Sequence, residues 1–130
     1  MKSGTHSSPT EKLTASKFPE IIKNIALIYV DLGDNDKALE AMSIARSENP
    51  DNVNLILTEA NVHYKMGNVE KFKELLELAT QMDPNNAELQ YNLGVVSAES
   101  NDFENATKYY QKAIELKPDY INAFINLAAL

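Results

Sequence analysis

The chain has 130 residues, of which 44% are hydrophobic and 24% charged, a length suited to one domain with a modest core. A net charge of −7 argues against a nucleic-acid surface, which needs clustered cations to neutralise phosphates. The longest unbroken apolar run, Ile25 to Val30, is far too short to span a bilayer, and with no cysteine there is neither disulfide nor thiolate chemistry.

Residues 1–18 read as a flexible tail, small and polar over Met1 to Ser8. Lys2 is not followed by an apolar stretch, so no secretory signal is expected. A mature exported protein would read the same, which leaves the compartment open between cytoplasmic and exported. Ser8-Pro9-Thr10-Glu11 has the form of a capping box and predicts a short helix over Pro9 to Ser16, which Phe18-Pro19 interrupts. From Pro19 onward, apolar residues recur at helical spacing: Ile21, Ile22, Ile25, Leu27, Ile28 and Tyr29, then Leu39, Met42 and Ala45. The pattern predicts helices near 20–32, 36–48, 52–66, 70–82, 86–99, 103–117 and 120–130. No segment alternates long enough to form a strand. Asp34, Asn68 and Asp102 are placed to cap the second helix of each pair, and Asp51, Asn85 and Asp119 the first, with Asn85 and Glu88 as a capping pair.

Pro50, Pro84 and Pro118 lie 34 residues apart, as do Ala45, Ala79 and Ala113. Ala26, Ala60, Gly94 and Ala128 share a small-residue register, and Gly33, Gly67 and Asn101 a turn register. A fixed period in a short chain signals a small unit that is repeated and stacked. Each predicted helix is marginal alone, so its stability must come from packing on neighbours. Small residues at Ala26, Ala60 and Gly94 allow two helices to approach closely, while Ile22, Leu76 and Tyr110 fill the ridges between them.

This pattern resembles the tetratricopeptide repeat (TPR) family. The third unit carries it most fully, in Ala87-Glu88-Leu89-Gln90-Tyr91-Asn92-Leu93-Gly94 followed by Ala106, Tyr110, Ala113 and Pro118. The first unit matches at Ile22, Ile25, Ala26, Tyr29, Ala38, Met42, Ala45 and Pro50, and the second at Ile56, Ala60, Phe72, Leu76, Ala79 and Pro84. The resemblance implies an all-α fold, a right-handed superhelical solenoid of helix–turn–helix repeats. Three full units would occupy 19–52, 53–86 and 87–120, with the first helix of a fourth at 121–130. It also implies a partner-binding scaffold whose concave face is lined by the first helix of each pair.

Some residues depart from the family pattern. Ile22, Ile56, Gln90 and Phe124 stand in the slot usually held by Trp, and His63 and Ser97 replace the Tyr29-type residue. Glu59 occupies a large-apolar slot. A buried carboxylate needs a partner, so Glu59 is expected at the rim, paired with Lys65 or Lys23.

Nothing in the sequence points to catalysis. The two histidines, His6 and His63, form no metal-binding spacing. Asp31, Asp34 and Asp36 lack the form of a calcium loop, and the four glycines make no phosphate cradle. The expectation is therefore no enzyme, no cofactor and no metal.

Binding residues follow from the register of the concave face that the resemblance implies. Asn24, Thr58, Asn92 and Asn126 form one ladder, and an Asn amide can both donate to and accept from a peptide backbone. Lys23, Leu57 and Tyr91 form the neighbouring register, with Leu27, Asn61 and Val95 a third, extended by Tyr64. Asn122 and Asn126 stand where family members that clamp a terminal carboxylate would need cations. Glu20, Asp31, Glu88 and Glu99 outnumber Lys23 and Lys65 on this face. The expected partner is a protein or peptide segment, neutral or basic, with no nucleic acid and no membrane. Two alternatives stand beside this one. The chain could be a recruiting or regulatory segment of a larger protein or enzyme, or a self-assembly module. The apolar stretch Ile121 to Leu130 suggests either a longer array or a homodimer through exposed terminal faces.

Overall fold

The computed structural model describes residues 19–130. The expected helix over Pro9 to Ser16 lies outside the described residues. Among the described residues there are seven α-helices and no strand: α1 (Pro19–Asp31), α2 (Asn35–Glu48), α3 (Val53–Lys65), α4 (Val69–Met82), α5 (Ala87–Glu99), α6 (Phe103–Leu116) and α7 (Ile121–Ala128). Every boundary falls within two residues of its expectation.

The turns that close the hairpins are built alike. Gly33 (φ 82°), Gly67 (φ 81°) and Asn101 (φ 63°) all adopt the left-handed conformation that ends each first helix. Glycine takes it without steric cost and Asn is among the few other residues that tolerate it. In each turn the next residue donates its N–H five residues back: Asp34 to Tyr29, Asn68 to His63 and Asp102 to Ser97, all at 2.8 Å. The backbone closure is thus kept while the side chain at the accepting position changes from Tyr to His to Ser. Asp34, Asn68 and Asp102 also accept from the N–H of Lys37, Lys71 and Asn105, capping the second helices as expected.

The caps of the first helices sit one residue later than expected. Asn52 caps α3 by accepting from Leu55 N–H, and Asn86 caps α5 by accepting from Glu88 and Leu89 N–H. Asp51 and Asn85 are therefore not the caps, and the expected Asn85–Glu88 pair does not form. The cause lies in the preceding turn. Asn52 donates its own N–H to the Asn49 carbonyl and Asn86 to that of Asp83, so the first free capping position comes after that turn. At α7 the cap is Tyr120, which makes no side-chain cap bond, so Asp119 does not serve there either.

The described chain divides into two compact units, one running to Leu75 and the other from Leu76 to Leu130. In the first, α1 packs on α2, and both pack on α3. Its core is Ile22 and Ala26 from α1, Ala38, Ala41, Met42 and Ala45 from α2, and Leu55 and Val62 from α3. Burying a residue such as Ile22 or Leu55 contributes about 1.5–3 kcal/mol each. In the second unit α5 packs on α6, and α6 on α7. Leu89, Leu93 and Val96 of α5 and Ala106, Tyr110 and Ala113 of α6 are buried there, as is Ala123 of α7.

The slots usually held by Trp are filled in three ways. Ile22 and Ile56 are buried outright. Gln90 is also buried, and its Nε2 donates to the Pro84 carbonyl at 3.0 Å, so the polar group is satisfied by the turn before α5. Phe124, by contrast, is 49% exposed.

Gly94 sets the closest helix approach in the second unit. A Cβ built there would stand 2.6 Å from both Cδ1 and Cε1 of Tyr110, a ring that is only 2% exposed. Gly94→Ala would gain up to about 1 kcal/mol of helix propensity, but overpacking against a buried ring costs about 1–3 kcal/mol. The ring is buried and tied to Asn126 and Tyr91, so the clash should win. Denaturant unfolding should show Gly94→Ala to be net destabilised; a midpoint equal to or above wild type would refute the close contact.

Candidate functional site

Each helix leaves one face to solvent, and on α7 that face includes the exposed Ile121, Phe124 and Ile125. In the second unit the candidate residues come from α5 and α7. Tyr91 and Asn92 are half-buried on α5, Val95 follows one turn later, and on α7 Asn122 is exposed while Asn126 is half-buried. The structure brings these together through a tyrosine cluster. The Tyr91 ring lies 5.0 Å from that of Tyr120 and 5.8 Å from that of Tyr110. Asn126 donates its Nδ2 to the Tyr91 hydroxyl at 3.1 Å and to the Tyr110 hydroxyl at 3.5 Å. The Asn126 rung therefore holds α7 to α5 and α6, and only its carbonyl oxygen is left to offer outward.

The charges around this cluster are the carboxylates of Glu88 and Glu99 and the ammonium of Lys117. Burial pushes the Tyr110 hydroxyl above its usual pKa; the Asn126 hydrogen bond opposes the shift, and Tyr91 and Glu99 add to it. Burial also raises Tyr120, with Glu88 and Tyr91 adding to the rise. Both phenols thus stay neutral at physiological pH. Lys117 stands over the Tyr120 ring at 5.1 Å from its centroid, at the start of the turn into α7. Beside the cluster is a cleft of about 410 Å³, lined by Val95, Ala98 and Glu99 of α5, Phe103 and Tyr110 of α6, and Asn126, Ala129 and Leu130. Tyr110, Tyr120 and Phe103 were not expected at this site. The period places Tyr110 in a core register and Tyr120 at a helix start, so nothing in one dimension signals that both stack on Tyr91.

In the first unit Asn24 and Asn61 are exposed and Leu27 and Leu57 are half-buried, on α1 and α3. Tyr64 is exposed, with its ring 5.0 Å from Phe72. Lys23 is paired with Glu20 at 2.7 Å, one turn away on its own helix. Thr58 departs from its expected role. It is buried, and its hydroxyl donates to the Asn54 carbonyl at 2.9 Å, so it packs inside the fold instead of offering a rung.

A profile of the tetratricopeptide repeat matches residues 29–94, and a second matches 87–120. The chain belongs to the tetratricopeptide repeat family. No curated protein matches it. Among solved structures it is similar to the first TPR of Spaghetti (RPAP3) bound to an HSP90 peptide, SRMEEVD. That likeness has 19% identity and a TM-score of 0.70, over 97% of this chain and 94% of that one. It is similar to YrrB, a TPR protein with an unusual peptide-binding site, at 22% identity and a TM-score of 0.67, over 82% of this chain and 55% of that one. It also resembles part of an O-GlcNAc transferase from Thermobaculum terrenum, at 26% identity and a TM-score of 0.66. There it covers 93% of this chain but 22% of the enzyme.

The departures from the TPR pattern are resolved by local chemistry. Glu59 does not pair with Lys65 or Lys23. Arg46 of α2 donates to it at 2.7 Å, and His63 Nε2 lies 3.9 Å from its other oxygen. Lys65 faces Asp31 instead, at 3.5 Å. An Arg–Glu pair between two helices thus replaces the apolar contact this TPR slot usually makes, and Ser43, Ser47 and Pro50 line a cleft of about 320 Å³ beside it. His63 is buried with its Nδ1 3.4 Å from the Asn68 amide, a core histidine held by the turn. A larger cleft of about 450 Å³ lies between α4, α5 and α6, but Thr80 and Gln90 in its wall already bond to main-chain carbonyls. Among the described residues no three His, Cys, Asp or Glu gather as a metal would require, and no helix is long and apolar enough to cross a membrane.

The Glu59 side chain is only 17% exposed, so its bond to Arg46 is desolvated enough to exceed a surface ion pair. A double-mutant cycle of Arg46→Ala and Glu59→Ala should give a coupling of about 1–2 kcal/mol in unfolding free energy. A coupling below about 0.5 kcal/mol would mean the pair is merely a solvated contact.

Proposed function

We propose that this chain is a protein-interaction scaffold that holds a peptide or protein segment on the exposed faces of its first helices, without catalysing a reaction on it. The observation that carries this reading is the α5–α7 face. It joins aromatic rings, an Asn amide and an apolar cleft of about 410 Å³ in one place, the mixture by which an extended segment is anchored and oriented. Tyr91, Asn92, Val95, Asn122 and Asn126 are the residues assigned to binding here. In the first unit Lys23, Asn24, Leu27, Leu57, Asn61 and Tyr64 have the same mixed character. Thr58 is left out because its hydroxyl is spent within its own helix. The peptide complex of the Spaghetti (RPAP3) repeat and the peptide-binding site of YrrB support the class of function.

A second reading is favoured by the likeness to the O-GlcNAc transferase, of which a stretch like this one is a small part. In such a setting the same faces would recruit a substrate or regulator to a catalytic domain elsewhere.

The test is capture of a partner by the immobilised chain. Asn92→Ala alone should weaken capture several-fold, and Tyr91→Ala with Asn92→Ala should abolish it. Circular dichroism checks that both variants remain helical, which matters because Tyr91 stacks on two other rings. Capture that persists in both folded variants would remove the face from consideration.

A further inference from the structure

Every charged group on α5 and α7 is acidic. α5 carries Glu88 and Glu99 and no cation, and α7 carries no charge at all. Glu99 forms one wall of the cleft, while Val95, Ala98, Phe103, Ala129 and Leu130 supply its apolar lining. The cations of α6 lie elsewhere. Lys108 and Lys112 border a separate cleft with Gln111 and Glu115, and Lys112 is paired with Glu115 at 3.2 Å. Lys117 follows α6 and is engaged with the Tyr120 ring.

Two polar groups of the cleft, the Glu99 carboxylate and the Asn126 carbonyl, are acceptors, while the Tyr110 hydroxyl accepts from Asn126 and keeps its own hydrogen to donate. Asn126 spends its Nδ2 on the Tyr91 and Tyr110 hydroxyls, which leaves its carbonyl oxygen for an incoming donor. A carboxylate and an amide oxygen beside an apolar hollow select a side chain rich in N–H donors next to one rich in carbon. An acidic ligand would find no cation in the lining to answer it.

Building on the scaffold reading above, we propose that this cleft is a specificity pocket for a segment in which a large apolar residue is followed or preceded by arginine or lysine. The apolar side chain fills the hollow against Phe103 and Leu130, and the cation meets Glu99 and the Asn126 carbonyl. Arginine suits the site best, because its planar fork can serve both acceptors and lie against a tyrosine ring.

The probe is an array of synthetic peptides, each with a central Leu, Phe or Met flanked by Arg, Ser or Glu in a Gly/Ser background, bound to the full chain. Arg-flanked peptides should bind roughly fivefold more tightly than their Glu-flanked twins, as expected for a solvent-facing carboxylate. Glu99→Gln should erase that difference while keeping the apolar preference. Ala129→Trp, at an exposed position past the helix, should fill the hollow and remove binding of all the peptides. Equal or better binding of the Glu-flanked peptides would overturn the charge selection and leave the scaffold reading intact. Binding that survives Ala129→Trp would overturn the pocket itself. An array with no binding above background would overturn this inference, whereas the scaffold reading stands or falls on the capture experiment with Asn92.

Discussion

The fold depends on close approach between paired helices, seen most directly where Gly94 meets the Tyr110 ring. A helix with a large residue there would stand off its partner and leave the surrounding apolar side chains partly wet. The equivalent positions Ala26 and Ala60 are also buried and small. Close approach on one side of each helix fixes which side remains outward. The second helices spend Ala38, Met42 and Ala45, or Ala106, Tyr110 and Ala113, on the core. The proposed binding face is the solvent-exposed side of the first helices.

That division explains why the candidate site has a mixed character. Tyr91 is large enough to touch Tyr110 and Tyr120 while staying half exposed, so it belongs both to the packing and to the surface. Asn126 is similar: its amide fixes α7 against the two phenols and its carbonyl remains available. A face built this way is preorganised, because its rings and amide are held by bonds the fold makes anyway, and less order is lost on binding. Apart from Lys117 over the Tyr120 ring, Glu88 and Glu99 are answered by no cation on α5 or α7.

Much of the fold was legible in the sequence because the 34-residue period reports backbone requirements directly. Gly33, Gly67 and Asn101 repeat because the same left-handed turn recurs, and the helix limits follow from those turns and the prolines. What stayed hidden were contacts across the period. The caps at Asn52 and Asn86 sit one residue late because a turn bond first uses the preceding position. Glu59 found Arg46 on a neighbouring helix, a pairing that no register comparison can rank above Lys65. The candidate site was legible as a set of positions but not as a structure. Thr58 shares the register of Asn24 and Asn92, yet its short β-branched side chain turns its hydroxyl back to Asn54. The stacking of Tyr91 on Tyr110 and Tyr120 joins three unrelated registers, and the cleft beside it exists only once α7 is docked.

The central claim is that the first-helix faces, and not the second-helix faces, meet the partner. Site-specific photo-crosslinking tests it most directly, with the photoreactive residue placed at Asn122 on α7 or at Gln111 on α6, both exposed. Irradiation in the presence of captured partner should give a crosslinked product from position 122 and little or none from position 111. The reverse pattern, with the product formed from position 111, would contradict the account.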